Sequence, residues 1–244
     1  NVTGLLMPEK EGQRKDEELA GLAARWLGIE TLRKDITEQL RALGVYDSML
    51  SRIPGRTLRR AAVRVGYRYF RARGEDPFLS EGRGVASSVV ADAAAAIRAR
   101  HRVRMVTAYY EAEKRGLLMV GCANRTERAT GLFCRFGIDD CADAMPLAGL
   151  YRTEVLQLAA YLGVPEEIRN RPPDPGIIPG AEDKYRFFVG LDGANLDAVL
   201  RALEDGCDAE EAARRAGTSR EKAEHVRQMT RLADELRARP LRPE

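Results

Sequence analysis

The chain is poor in the residues that staple small scaffolds or hold structural metals. It has four cysteines (Cys122, Cys134, Cys141 and Cys207) and no CxxC pair, so neither a zinc site nor a disulfide framework is indicated. That usage fits a reducing cytoplasm. No apolar run approaches the ~20 residues of a membrane-spanning helix. Lysine is scarce, with six against 34 arginines, so an arginine where lysine would serve equally carries little information. Charge is nearly balanced, 40 basic against 37 acidic residues for a net +3, which by itself implies no nucleic-acid partner. His101 is one of only two histidines; with no partner pattern nearby it is assigned to surface or core.

At 244 residues and 44% hydrophobic content, the chain can bury a full core. It opens on an apolar strand within residues 1–8, with no turn before it. From Asp16 to Leu27 the apolar residues Leu19, Leu22, Ala23, Trp26 and Leu27 follow an amphipathic helical stripe that puts Trp26 in the core, and Gly28 stands at the position that ends such a helix. A second short strand is expected between Ile29 and Ile36, completing a βαβ unit. Residues 52–73 then carry eight arginines and no acid. They are either a phosphate or nucleic-acid surface, or a solvated or dimer-facing helix whose arginines pair with acids elsewhere. The segment Glu75–Gly84 reads as a mobile loop, and residues 91–116 as a strong helix. Helices are expected at Thr153–Leu162, from Leu196, and at Asp208–Ala216 and Ser219–Met229. The last pair has helix-turn-helix form, the basis of a DNA-binding alternative.

The stretch organising the chain is GCANRTERATGLFCRFGIDDCADAMPLAGLYRTEV, residues 121–155. A short apolar run, Leu117–Val120, reads as a strand ending at Gly121. Beyond it lie Glu127, Arg128, Arg135 and a group of aspartates, the pattern of a nucleotide site at the carboxyl end of a buried parallel strand.

These residues resemble the NAD synthetase family. Its blocks GT-x-N-x-x-E, G-x-F-T-K-Y-G-D-G, D-x-x-P-L and L-x-K correspond to GCANRTE at 121–127, GLFCRFG at 131–137, Asp143 with Pro146-Leu147, and Leu150-Tyr151-Arg152. RARHRVRM at 98–105 resembles the family's N-x-K-A-R-x-R-M. The resemblance implies an adenine-nucleotide α-hydrolase-like α/β fold: a Rossmann-like parallel sheet flanked by helices, with a C-terminal helical tail. Residues 1–195 would form the nucleotide-binding domain, with the variable Arg-rich segment at 46–95, and residues 196–244 a helical extension. A homodimer is implied.

The chemistry implied is ligation: a carboxylate, deamido-NAD, attacks the α-phosphate of ATP with Mg²⁺, and ammonia displaces AMP to leave an amide. Carried over by motif, Glu127 is the Mg²⁺ ligand and Cys122 and Arg152 are the ATP contacts. Arg102, Arg135 and Asp143 hold the acid substrate. No catalytic base is assigned, and Cys122 has none beside it. The family's S-G-G-x-D-S phosphate loop is absent from these residues and is expected upstream in the natural polypeptide. Two further departures stand out. Pro172-Pro173-Asp174-Pro175-Gly176 replaces a segment carrying an ATP-contacting hydroxyl, and the family's tail His-Lys pair becomes His225-Val226 or is lost. They leave open a paralogue that adenylates a different small carboxylate. Neither a membrane nor a nucleic acid is expected as a partner.

Overall fold

The opening βαβ unit forms as the apolar pattern requires. The computed structural model describes residues 2–238. Strand β1 (Thr3–Leu6), helix α1 (Arg14–Leu27) and strand β2 (Glu30–Arg33) follow one another, and the strands pair in parallel from Thr3 opposite Glu30 to Leu6 opposite Arg33. Gly28 ends α1 in the left-handed region (φ 64°), where a side chain would be strained. Trp26 departs from the expected core position. It is 41% exposed, because Ala24 on the neighbouring stripe is the residue α1 buries.

Beyond β2 come α2 (Thr37–Ala42), a 3₁₀ turn at Val45–Asp47, α3 (Arg56–Ala72), α4 (Pro77–Gly82) and the long α5 (Ser88–Glu113). The expected mobile loop at 75–84 is therefore helical at its centre. The Asp76 side chain accepts from the backbone N–H groups of Phe78 and Leu79, and Pro77 opens the helix, a pairing of cap and first-turn proline that starts helices. The 117–120 strand is reduced to a single parallel bridge, Val120 with Ala144. It pins the segment without building a ladder.

The rest of the chain is α6 (Arg125–Thr130), α7 (Arg152–Tyr161), α8 (Glu166–Arg169), α9 (Lys184–Phe188), α10 (Gly193–Glu204), α11 (Ala209–Arg215) and α12 (Arg220–Arg237). The last six residues of the expected 196–244 extension lie outside the described residues. The architecture is α/β, a parallel sheet flanked by helices. Among the described residues no helix is long and apolar enough to cross a membrane.

Two apolar clusters carry the packing. The larger joins Leu196, Val199 and Leu200 of α10 to Ala212 and Ala213 of α11 and to Val226, Met229 and Leu232 of α12, with Tyr185 and Val189 closing it. The alanines of α11 let its neighbours approach closely. Each fully buried Leu, Val or Met contributes about 1.5–3 kcal/mol over exposure. Helix α12 gives its apolar face to this core and packs on α4, α6, α10 and α11. The smaller cluster, Ile36, Leu40, Val45 and Ala96, seats α5 against α2 and the 3₁₀ turn.

A sheltered charged network joins α3 and α5 to the segment between β1 and α1. Arg100 of α5 is 3% exposed, with Nη2 2.5 Å from Glu11 and Nε 3.4 Å from Glu9. Arg59 of α3 also reaches Glu11, at 2.6 Å, while Tyr46 donates to Glu9 at 2.7 Å. Farther along α3, Arg60 and Arg64 both pair with Glu182, at 3.3 and 3.0 Å. Four of the eight arginines of this segment, Arg59, Arg60, Arg64 and Arg71, thus pair with acids of the same chain.

Candidate functional site

Glu127 is placed by the start of α6. Asn124 is the N-cap; its side chain accepts from Glu127 N at 3.0 Å, and Glu127 Oε2 accepts from Asn124 N at 3.0 Å. This reciprocal capping box fixes the carboxylate. Its other oxygen, Oε1, is in ion contact with Nζ of Lys184 on α9. One residue before Glu127, Thr126 is fully buried. Its hydroxyl donates to Asp197 Oδ1 at 2.6 Å and accepts from Arg152 N at 2.8 Å, and Asp197 Oδ2 accepts from Thr153 N at 2.8 Å. The N-termini of α6 and α7 are thereby locked to α10 through one buried polar knot.

The loop from Gly131 to Asp140 is docked on α5. Ile138 N donates to His101 O at 3.3 Å, and Nδ1 of His101 lies 2.9 Å from Asp139 Oδ2. The latter is a close approach rather than a well-aligned hydrogen bond. Burial alone would raise the Asp139 carboxyl, but His101 and then Lys184 outweigh it and hold it below its ordinary value. Phe136 has φ 57°, a left-handed conformation uncommon outside glycine and often found where function demands a turn. Its ring lies 4.2 Å beneath the Arg135 guanidinium, a cation–π contact that orients the arginine. The Arg135 carbonyl accepts weakly from Arg102, at 3.4 Å.

The loop can close on α5 because residue 137 is glycine. A Cβ there would meet His101 Cβ at 2.9 Å, and Cys134 Cβ and the Cys134 carbonyl at 3.0 Å. Gly137→Ala is expected to destabilise the protein by about 1–3 kcal/mol and to reduce activity by displacing Arg135 and Asp139. Thermal melting alongside turnover checks both, and an unchanged melting temperature would contradict the close approach.

These elements surround a cavity of about 1040 Å³. Its wall carries the charged residues Glu127, Lys184, Asp139, Arg102 and Arg135, with Glu81, Arg83 and Arg98 and the His101 imidazole, together with an apolar lining that includes Tyr67, Phe70, Phe78 and Phe187. Tyr67 stacks against Phe187 at 4.5 Å between centroids, so α3 covers the cavity through aromatic contact as well as ion pairs. An apolar cleft with a few converging polar groups has the form of a ligand site.

Three of the six residues taken from the sequence, Arg102, Glu127 and Arg135, meet in this wall, and the other three lie outside it. Cys122 is exposed, yet the surrounding protein, and then the Glu127 and Asp139 carboxylates, raise its thiol pKa. Asp143 accepts from Met119 N at 2.7 Å and faces the Tyr109 hydroxyl at 3.5 Å, which steadies the chain beside the Val120 bridge. Arg152 starts α7, with its backbone N–H on Thr126.

Three wall residues were not anticipated from the sequence: Lys184, Asp139 and His101. His101 finds its partner 38 positions away, beyond any local pattern. His225 has no such place; its Nε2 lies 3.0 Å from the Phe188 carbonyl, and the adjacent Val226 is fully buried.

The donor set suits a phosphate-borne divalent ion. Among the described residues no three His, Cys, Asp or Glu side chains cluster as a closed metal site. Mg²⁺ accompanying a nucleotide needs only one or two protein carboxylates, and the Lys184 ammonium shows that positive charge is accommodated at Glu127.

Comparison with known proteins supplies the context. Residues 84–240 match the family model described as NAD synthase. The chain is 40% identical over 215 residues to the NH₃-dependent NAD⁺ synthetase of Coprothermobacter proteolyticus, covering 86% of this chain and 72% of that protein. It is 33% identical over 238 residues to the enzyme of the same name from Thermotoga maritima, covering 97% and 80%. In fold it is similar to NMN synthetase from Francisella tularensis, with a TM-score of 0.67 at 21% identity, over 99% of this chain and 78% of that one.

Proposed function

Because this chain belongs to the NAD synthase family, we propose that it is an ammonia-dependent NAD synthetase, an ATP-dependent ligase converting the carboxylate of deamido-NAD into an amide. The observation carrying this reading is the meeting of Glu127, Lys184, Arg102 and Arg135 in the wall of one cavity. At about 1040 Å³, it lies at the upper end of the ~300–1,000 Å³ of typical ligand pockets, as a dinucleotide requires.

In this reading a carboxylate oxygen of deamido-NAD attacks the α-phosphorus of ATP, and the bond to pyrophosphate breaks. Ammonia then attacks the acyl carbon, the C–O bond to AMP breaks, and a proton is released. Glu127 would hold Mg²⁺, which supplies charge stabilisation at the phosphates. Arg102 and Arg135 orient the acid by charge-assisted hydrogen bonds, and Asp143 maintains the segment from which the acid is approached. Arg152 and Cys122 flank the nucleotide, Arg152 being aligned by the Thr126 knot. The cationic groups of the wall suit this step, since developing phosphate charge is stabilised by preorganised positive groups.

The direct test is ammonium-dependent NAD formation by the full-length protein with ATP, Mg²⁺ and deamido-NAD. Pyrophosphate release with nicotinate mononucleotide but none with deamido-NAD would replace this reading by a paralogue using a smaller acid. Within the enzyme, Arg135→Ala should raise KM for the acid roughly tenfold or more while leaving ATP affinity nearly unchanged. Equal losses for both substrates would remove Arg135 from the acid site.

A further inference from the structure

We propose that Lys184 is a tethered cation that occupies the Glu127 carboxylate until a divalent ion arriving with nucleotide displaces it, so that metal and nucleotide enter together. The inference rests on the reading of Glu127 as the metal ligand and adds a residue to it.

Lys184 is built into its place. It is the first residue of α9, whose N-cap Asp183 accepts from Arg186 N at 3.0 Å, and its own N–H donates to Pro173 O at 3.2 Å. That proline belongs to the PPDPG segment, which is tied to the start of α1: Gln13 donates to Asp174 at 2.8 Å, and Arg171 pairs with Asp16. From this anchor the side chain reaches Glu127, 57 positions earlier. Both partners are sheltered, at 17% and 18% side-chain exposure. The carboxylate cannot turn away, because Oε2 is held by Asn124 N.

The balance of charge makes this a coupling device. Lys184 and Asp139 line the same cavity, and the ammonium helps to hold the Asp139 carboxyl below its ordinary value. A lone divalent ion must expel an ammonium from a sheltered carboxylate and leave it beside the new positive charge, which is unfavourable. A metal carried by a triphosphate brings its own negative charge, and the displaced ammonium gains an anionic partner. Binding of metal and nucleotide is then cooperative, and by linkage the coupling is reciprocal.

The test uses Mn²⁺ alone as probe, titrated into the nucleotide-free protein and followed by electron paramagnetic resonance. Lys184→Met should bind Mn²⁺ about tenfold or more tightly than wild type, and Lys184→Arg, which keeps the charge, should stay near wild type. Adding Glu127→Gln to Lys184→Met should abolish the gain. If Lys184→Met binds no more tightly than wild type while Glu127→Gln binds more weakly than both, the metal reading stands and the coupling role of Lys184 is wrong. If the double variant keeps the gain, the ion sits elsewhere and both ideas fall. Should the methionine variant not fold, Lys184→Gln removes the same charge while retaining a hydrogen bond, and the same outcomes decide.

Discussion

Replacing Glu127 by glutamine should slow adenylation by about 100-fold or more, equivalent to roughly 3 kcal/mol or more of lost transition-state stabilisation. The substitution is selective because of where Glu127 sits. As the third residue of α6 it closes a capping box with Asn124, and glutamine serves that box as well as glutamate, so the helix start survives. What is lost is the negative charge, which holds Lys184 in the resting protein and, in the role proposed for it, would hold the divalent ion during reaction. The loss of an ion pair at 17% and 18% exposure should cost at most about 2 kcal/mol of stability. Pyrophosphate release at limiting Mg²⁺ is the measurement; near-normal rates would take Glu127 out of the site. Glu127→Ala removes cap and charge together and would not separate the two roles.

What could be read from sequence follows from how local each signal is. The helix ending at Gly28 and the strand after it were legible because a 3.6-residue stripe and an αL glycine are properties of neighbouring residues. Glu127, Arg102 and Arg135 were legible through motif spacing, and they meet in one wall. Lys184, His101 and Asp139 were not, since each acquires its meaning from a partner far along the chain: Glu127 for Lys184, and His101 and Asp139 for one another. Trp26 failed for a related reason. An amphipathic stripe says which residues share a face but not how far the covering layer extends, and the edge of α1 is left open to solvent. At Glu75–Gly84, glycine and charge suggested a loop, yet the Asp76-Pro77 cap was the stronger local instruction. The 117–120 run is apolar as a strand should be, but among the described residues its one sheet-type pairing is the bridge of Val120 with Ala144. Strand formation depends on a neighbour, which composition does not reveal.

Asp197→Ala should destabilise the protein by about 3–5 kcal/mol, lowering the melting temperature by roughly 6–20 °C for a chain of this size. Asp197 is 2% exposed and makes no salt bridge among the described residues; its two oxygens accept from the Thr126 hydroxyl at 2.6 Å and from Thr153 N at 2.8 Å. Alanine leaves both donors buried without an acceptor and opens a hole beside Leu196 and Val199, its neighbours on the buried face of α10. Asn is the informative comparison. Its carbonyl can still accept from Thr153 N, but its amide must face a Thr126 oxygen that already accepts from Arg152 N, leaving the threonine proton unplaced. Asp197→Asn should therefore cost about 1–2 kcal/mol, well short of the alanine variant. The effect reaches the site because the same knot aligns the residue before Glu127 with the backbone of Arg152. At a temperature where the asparagine variant is fully folded, it should still show a several-fold lower adenylation rate. Wild-type turnover in a destabilised Asp197→Asn protein would mean that the knot holds the core together without setting the geometry of the site.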